Sequence, residues 1–382
     1  MKAKSLNSLL RGVTNFKGII GLHDPVFSGN EKKYLKQTID STFVSSKGKF
    51  INKFEENICS LTKSKYSIAT VNGTSALQIA LILANVKQNE EVLTQALSFV
   101  ATSNAITYLN AKPIFIDVDR DTMGMSPGAL RSFLDEYGEK RENGTYNKST
   151  GKKITACLPM HTFGFMCRID EIKIICKDWK ITLVEDSAEA LGSKFKDRFA
   201  GTFGALSAYS FNGNKIITSG GGGCITTQNK RLYKRAKHIS STAKSPGKFH
   251  YVHNETGYNY RMPNINAALA LAQIESFEKI IDRKRKLYEF YAKELPSIGL
   301  ELAPIPKNTT WNYWLIPIIF DNQKERDNFL KQTDKFRIVT RPIWRLLFKL
   351  PMFSSCQKDS QTNAQILEKT ILNIPSNIKL TK

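Results

Sequence analysis

The 382-residue chain predicts an α/β fold built on a mostly parallel sheet. Two observations carry that prediction. Short apolar runs of strand length alternate with helical patterns, and four of the strand ends carry residues that packing does not require. The expected strands are Tyr66–Val71, Glu91–Thr94, Pro113–Val118, Ile154–Pro159, Ile181–Val184, Leu206–Phe211 and Gly223–Thr227. Helical stretches such as Ala76–Ala84 and Ile169–Asp178 separate most of them. A helix-like segment follows Gly48 and runs through Phe54 and Ile58. Gly138–Lys153 is polar and glycine-containing and reads as an exposed loop. From Asn264 one long helical pattern runs to about Leu295, with Ala267, Leu271, Ile274, Phe277, Ile281 and Leu287 on its apolar stripe. After Pro296 the rhythm changes to strands such as Tyr313–Phe320 and a helix near Glu325–Thr333. The expected division is a large α/β domain over 1–255 and a small α+β domain over 256–382, entered by the long helix. No internal repeat is present.

Composition narrows the class. Hydrophobic residues make up 41% and charged residues 24%, which is globular. No run of about 18 apolar residues predicts a membrane span. The uncharged stretch Val92–Ala111 carries Thr94, Gln95, Ser98, Thr102, Ser103 and Asn104, and reads as a strand, a polar active-site turn and a helix. Leu6–Ile20 is interrupted by Arg11 and Lys17 and lacks the core of a signal peptide, so a cytoplasmic location is expected. The net charge is +22, but the basic residues are spread along the chain. Their densest runs, Lys230–Lys237 and Arg283–Lys286, fall in helical segments without a nucleic-acid-binding signature. A solvated basic surface that attracts small anions is expected, with no nucleic-acid partner. The six cysteines are scattered without a CxxC pair and are expected as reduced thiols. The five histidines show no HxxxH or HExxH spacing, so no metal site is expected.

The chemistry concentrates at the strand ends, where α/β sheets build their sites. After Val71, Asn72-Gly73-Thr74-Ser75 turns the chain into a helix. Hydroxyls and free amides at a helix N-terminus suit an anion, and an ordinary N-cap fits equally. Leu183–Glu189 delivers Glu185 and Asp186 to the end of an apolar strand. A buried carboxylate there needs a cationic partner; helix capping by Asp186 is the bland alternative. Ser207–Lys215 holds one lysine in a stretch otherwise apolar, small or amide. A desolvated Lys215 becomes a nucleophilic amine, whereas most lysines are solvated surface residues. The glycines at 220–223 do not form G-x-G-x-x-G, because Ile225 takes the third position, and no Walker motif is present. Gly257–Met262 sets Asn259 and Arg261 among aromatics, as a binding surface or a packing hinge.

In this order the four motifs resemble the pyridoxal-phosphate-dependent sugar aminotransferases of the DegT/DnrJ/StrS family, within fold type I. Phe43-Val-Ser-Ser46, Gln95-Ala-Leu-Ser-Phe99, Met160-His-Thr-Phe-Gly164, Phe211-Asn-Gly-Asn-Lys215 and Arg341-Pro-Ile-Trp344 sharpen the resemblance, which runs from about Ile20 to the C-terminus. It implies a mixed, mostly parallel sheet flanked by helices, with a smaller C-terminal α+β domain. It looks like the branch acting in legionaminic acid and bacillosamine synthesis for surface glycans. That implies transfer of an amino group from glutamate to C4 of a UDP- or GDP-linked 4-keto-6-deoxy-N-acetylhexosamine. A perosamine precursor is the alternative sugar, and a non-catalytic regulatory or nucleic-acid-binding protein on the same fold is another reading. A sugar dehydratase of the family would replace the lysine, usually with histidine, and Lys215 stands against it.

The resemblance also distributes roles. Lys215 forms the covalent link to the cofactor aldehyde, and Asp186 pairs with the pyridine nitrogen. Glu189 matches a position near the phenolic oxygen, where many relatives have Gln or His. Thr74, Ser75 and Ser210 match phosphate-binding positions, and Phe99 matches the aromatic stacked on the ring. Asn259 matches a residue reaching the phosphate from the neighbouring subunit, which implies a homodimer with a shared site. His161, Phe43 and Arg341 are the expected substrate contacts. Phe165 and Phe348 depart from the branch pattern at positions that touch substrate in this reading.

Overall fold

The computed structural model describes residues 1–14, 17–247 and 249–380, so the last two residues of the expected 256–382 segment lie outside the described residues. A nine-stranded sheet forms the centre. Along its main path the strands run Tyr66–Thr70, Gly223–Thr227, Leu206–Ser210, Thr182–Asp186, Lys153–Leu158, Glu91–Gln95 and Lys112–Ile116. Gly223–Thr227 pairs antiparallel with both its neighbours, while the pairs from Leu206–Ser210 to Lys112–Ile116 are parallel. The strand Gly223–Thr227 therefore runs against the others on this path. Its first residue arrives at the edge where its neighbours end: Gly223 pairs with Ser210 and with Thr70. The expected mixed, mostly parallel sheet is the one observed.

The strands are short apolar runs because both faces are covered. Side chains alternate between faces. Leu93, Ile114, Cys157 and Leu183 pack against helices Pro127–Tyr137 and Ile169–Asp178. Val92, Leu158, Val184 and Ala208 pack against helices Gly73–Leu83 and Lys230–Ile239 on the other face. A second, four-stranded antiparallel sheet has the order Glu301–Leu302, Ile316–Ile319, Ile371–Ile374, Arg341–Pro342. The N-terminal helix Lys2–Thr14 buries Ala3, Leu6 and Leu10 in the same cluster as that sheet and packs on helix Gln323–Lys335.

Two expectations are corrected. Gly138–Lys153 is not a loop: Gly138–Arg141 and Gly144–Asn147 form an antiparallel hairpin whose second strand joins Lys153–Leu158. Glu139, Lys140 and Arg141 are exposed, so this hairpin carries no apolar alternation for a sequence pattern to show. The pattern from Asn264 to Leu295 is not one helix. It breaks at Ser276 (φ −96°, ψ 1°) into Asn264–Glu275 and Phe277–Glu294. The first is buried nearly all round, packed against helices Glu31–Asp40 and Lys49–Thr62. The second buries one stripe, Phe277, Ile280, Leu287 and Tyr291. The change of buried face requires the break.

Candidate active site

Strand alternation decides which carboxylate of the Glu185–Asp186 pair faces the site. Glu185 points away from it. Its oxygens accept the amides of Gly201 at 2.8 Å, Phe203 at 2.7 Å and Gly204 at 2.7 Å, and meet His161 Nε2 at 3.2 Å. Asp186 lines a cavity of about 550 Å³ at the carboxyl ends of the strands. It accepts the Thr102 hydroxyl at 2.7 Å and the Ala188 amide at 3.1 Å. Ser98 Oγ lies 2.7 Å from Thr102 Oγ1, extending the chain of hydroxyls behind the carboxylate. Burial raises the Asp186 pKa, against the pull of these donors and the Lys215 charge.

Lys215 follows strand Leu206–Ser210 on a loop whose turn is closed by the Lys215 amide donating to the Asn212 carbonyl at 3.0 Å. Its side chain is 11% exposed, and Nζ lies 3.2 Å from Glu189 Oε1. The same ammonium sits 4.3 Å from the centre of the Trp314 ring. Glu189 Oε2 accepts the Phe163 amide at 2.9 Å. Phe163 holds a left-handed backbone (φ 56°) in the turn after His161. Burial pushes Glu189 up to about 7, with Lys215 pulling the other way.

At the far end of the cavity the helix Gly73–Leu83 begins. Asn72 Oδ1 caps it by accepting the Ser75 amide at 2.8 Å. The amides of Gly73 and Thr74 meet no protein acceptor among the described residues. A Cβ on Gly73 would lie 2.8 Å from Ser210 Cβ, and one on Gly223 would lie 2.3 Å from the Asn72 carbonyl oxygen. Only glycine allows these strand ends and this helix start to close into a cradle. Amides, the hydroxyls of Thr74 and Ser210, and the positive helix end face one volume, which suits a dianionic phosphate.

Of the expected site residues, the structure brings Lys215, Asp186, Glu189, Thr74, Ser210, Phe99 and Arg341 to this cavity. Ser75 is buried one position deeper in the helix and is not among the lining residues. Asn259 is exposed, and its backbone pairs with Ser241, away from its own chain's cavity. Phe43 is 59% exposed and outside the cavity; its carbonyl accepts Asn264 Nδ2 at 2.6 Å. His161 does not line the cavity: it is fully buried behind the sheet, between Glu185 and Cys167, because the strand register turns it to the Glu185 face. Phe165 is likewise fully buried outside the cavity lining, its ring centre 4.5 Å from that of Trp311. Phe348 lies under Lys358 and does not line the cavity.

The residues the motifs missed are Thr102, Trp314, Leu22 and Asn373. Thr102 lies in the helix Ala101–Thr107, inside the uncharged stretch 92–111, and is within reach of that signal. Trp314 sits 99 positions from Lys215 and carries no local mark.

A family model described as the DegT/DnrJ/EryC1/StrS aminotransferase family matches residues 26–382. The chain belongs to that family. A GDP-perosamine synthase of Escherichia coli O157:H7 is 34% identical over 94% of this chain and 93% of its own length. A GDP-perosamine synthase of Vibrio cholerae is 32% identical, over 88% and 87%. Among solved structures, the aminotransferase TlmJ from Streptoalloteichus hindustanus superposes with a TM-score of 0.84 at 22% identity, over 94% of this chain and 93% of that one. Helicobacter pylori PseC, an aminotransferase involved in the biosynthesis of pseudoaminic acid, gives 0.83 at 20% identity, over 94% and 93%. Both share the fold, which is fold type I. The protein is a sugar aminotransferase and its cofactor is pyridoxal 5′-phosphate. The cavity fits that group: a phosphate cradle, a half-exposed aromatic face at Phe99, a buried carboxylate and a buried amine. Among the described residues no helix is long and apolar enough to cross a membrane. The six cysteines are free, four of them buried.

Proposed function

We propose that this aminotransferase takes an amino group from glutamate and delivers it to C4 of a nucleotide-linked 4-keto-6-deoxy sugar. The observation that carries the reading is Lys215: an amine held in a cavity wall, in contact with Glu189 and Trp314, in the same cavity as Asp186. When bound, the cofactor supplies an aldehyde that accepts the nitrogen and a ring that withdraws electrons. Lys215 Nζ carries the proton between the reacting carbons. Asp186, kept in place by Thr102 and the Ala188 amide, would hold the ring nitrogen protonated through its negative charge. The Gly73 and Thr74 amides with Ser210 Oγ would hold the phosphate, and Phe99 would offer an aromatic face to the ring. Arg341 at the cavity wall presents a cation to an anionic substrate.

Two sugars fit this reaction. The relatives named GDP-perosamine synthase favour the 4-keto precursor of GDP-perosamine. The motif set of the legionaminic acid and bacillosamine branch favours a UDP- or GDP-linked 4-keto-6-deoxy-N-acetylhexosamine. Incubation with glutamate and a panel of both, read by mass spectrometry, decides between them. Amination of neither sugar would remove C4 transfer as the function.

The site is further proposed to be completed by a second copy of the chain. Phe43 and Asn259 lie outside their own cavity and are exposed, and Phe99 at the cavity is 51% exposed. A homodimer that brings Asn259 to the partner's phosphate cradle covers them.

A further inference from the structure

One buried cation takes no part in the chemistry above. Lys284, on helix Phe277–Glu294, is 1% exposed. Its ammonium donates to carbonyls, not to a carboxylate: Tyr313 at 3.1 Å, Trp314 at 2.9 Å and Ser376 at 2.9 Å. Burial drives its pKa well below the usual lysine value, and the three carbonyls work against that by accepting from the charged form. Ser376 extends the knot. Its amide donates to the Leu22 carbonyl at 2.7 Å and its hydroxyl to the Trp314 carbonyl at 2.6 Å.

The two segments bonded by this ammonium, and the Leu22 segment tied in through Ser376, each reach the active-site cavity. Leu22, Trp314 and Asn373 line it, and Asn373 lies three residues before Ser376 on the same segment. Trp314 is held at both ends: its carbonyl by Lys284, and its indole N–H by donation to the Asn214 carbonyl at 2.7 Å, next to Lys215. The helix itself does not need the lysine. Phe277, Ile280, Leu287 and Tyr291 already anchor it in the core, and a packed apolar residue is commonly the more stable choice at such a position.

We propose that Lys284 is a positioning residue for amino transfer: its ammonium clamps the Trp314 segment, the Ser376 segment and, through Ser376, the Leu22 strap, and so seats the indole over Lys215. This rests on the reading of Lys215 as the reacting amine. Methionine at 284 keeps the length and the helix but cannot donate. Among the described residues the Trp314 carbonyl then keeps only the Ser376 hydroxyl, and the indole, still tied to the Asn214 carbonyl, loses the anchor on its backbone.

The test uses the full-length holoenzyme as Lys284→Met, Trp314→Ala and the double variant. Lys284→Met is expected to lower kcat per bound cofactor about 10-fold, the loss of roughly one charged hydrogen bond, with cofactor affinity and KM unchanged. The double variant should be no slower than the slower single variant. Hydrogen exchange of the peptide spanning 312–316 should quicken about 10-fold in Lys284→Met, while strand Thr182–Asp186 stays protected. Should Lys284→Met not fold, Ser376→Ala removes one hydroxyl of the same knot and should give about a 3-fold loss. Independent, additive losses in the double variant, or unchanged exchange at 312–316, overturn the clamp. A wild-type enzyme that aminates no sugar overturns the reading of Lys215 instead, and leaves the exchange result standing on its own.

Discussion

The Lys215 ammonium and the Glu189 carboxylate face each other at 3.2 Å inside the protein, with 11% and 1% of their side chains exposed. Glu189 is thereby poised near neutrality, at about 7, because burial outweighs the attraction of the lysine. A proton on the lysine has an acceptor beside it before any substrate enters.

This pair makes stability depend on pH. The folded-state value of about 7 lies above the ordinary 4.5 for glutamate. The protonated form therefore favours the native state: its contribution is fully present below about pH 4.5 and is lost as pH rises through about 7. Glu189→Gln removes that dependence. In cofactor-free protein, the unfolding free energy of the variant relative to wild type should rise by up to about 3 kcal/mol between pH 5 and pH 8. Denaturant titrations at several pH values measure this. A difference that stays flat across that range would detach Glu189 from the titration.

Lys215→Ala should retain the fold and lose amino transfer by at least about 10³-fold. Borohydride treatment of the holoenzyme, followed by peptide mass spectrometry, should mark position 215 in wild type and nothing in the variant. Transfer at the wild-type rate would take Lys215 out of its role.

Thr102 reports on Asp186. Its hydroxyl is a charge-assisted donor at 2.7 Å. Thr102→Val should weaken cofactor binding and slow transfer by about 10-fold, the loss of one hydrogen bond to a charged group. Asp186→Ala should lose most cofactor affinity and most activity. Cofactor titration by absorbance separates the two effects, and an unaffected Thr102→Val enzyme would show that the hydroxyl does not support the carboxylate.

His161 is buried outside the cavity lining, paired with Glu185. Burial lowers its proton affinity, but the Cys167 sulfur at 3.5 Å and the Glu185 carboxylate outweigh this and push it up to about 10. The stabilisation is fully present below the ordinary 6.5 and is lost as pH rises through about 10. His161→Phe should destabilise the protein by about 3 kcal/mol at pH 7 by breaking a buried pair, with KM for the sugar unchanged. A raised KM with unchanged stability would restore His161 to the substrate site.

The proposed completion of the site by a second copy predicts complementation. Mixed dimers of Lys215→Ala and Asn259→Ala chains contain one site with both residues intact. They should recover activity that neither homodimer has. Verified mixed dimers without recovery would confine the site to one chain.

Much of the site was legible along the chain because its parts are local. A strand that ends, a glycine that turns and a helix that starts fall within a few residues of one another, as at Val71–Ser75 and Leu206–Lys215. The hairpin at 138–147 escaped for the converse reason: its first strand is charged and exposed and its second, though buried, is Gly-Thr-Tyr-Asn, so no apolar alternation marks either. The break at Ser276 escaped because two helices with different buried faces abut without a proline or glycine between them.

Along the chain, the motifs at the strand ends carry the resemblance that implies the cofactor class and the roles expected of Lys215 and Asp186. Packing decided the rest. It turned Glu185 and His161 to the rear face of the sheet while Asp186 faced the cavity, and it carried Leu22, Trp314 and Asn373 to Lys215 from three distant segments. Those meetings depend on how two sheets and their helices close on each other, a geometry set by volume and burial over the whole core and encoded in no single stretch of residues.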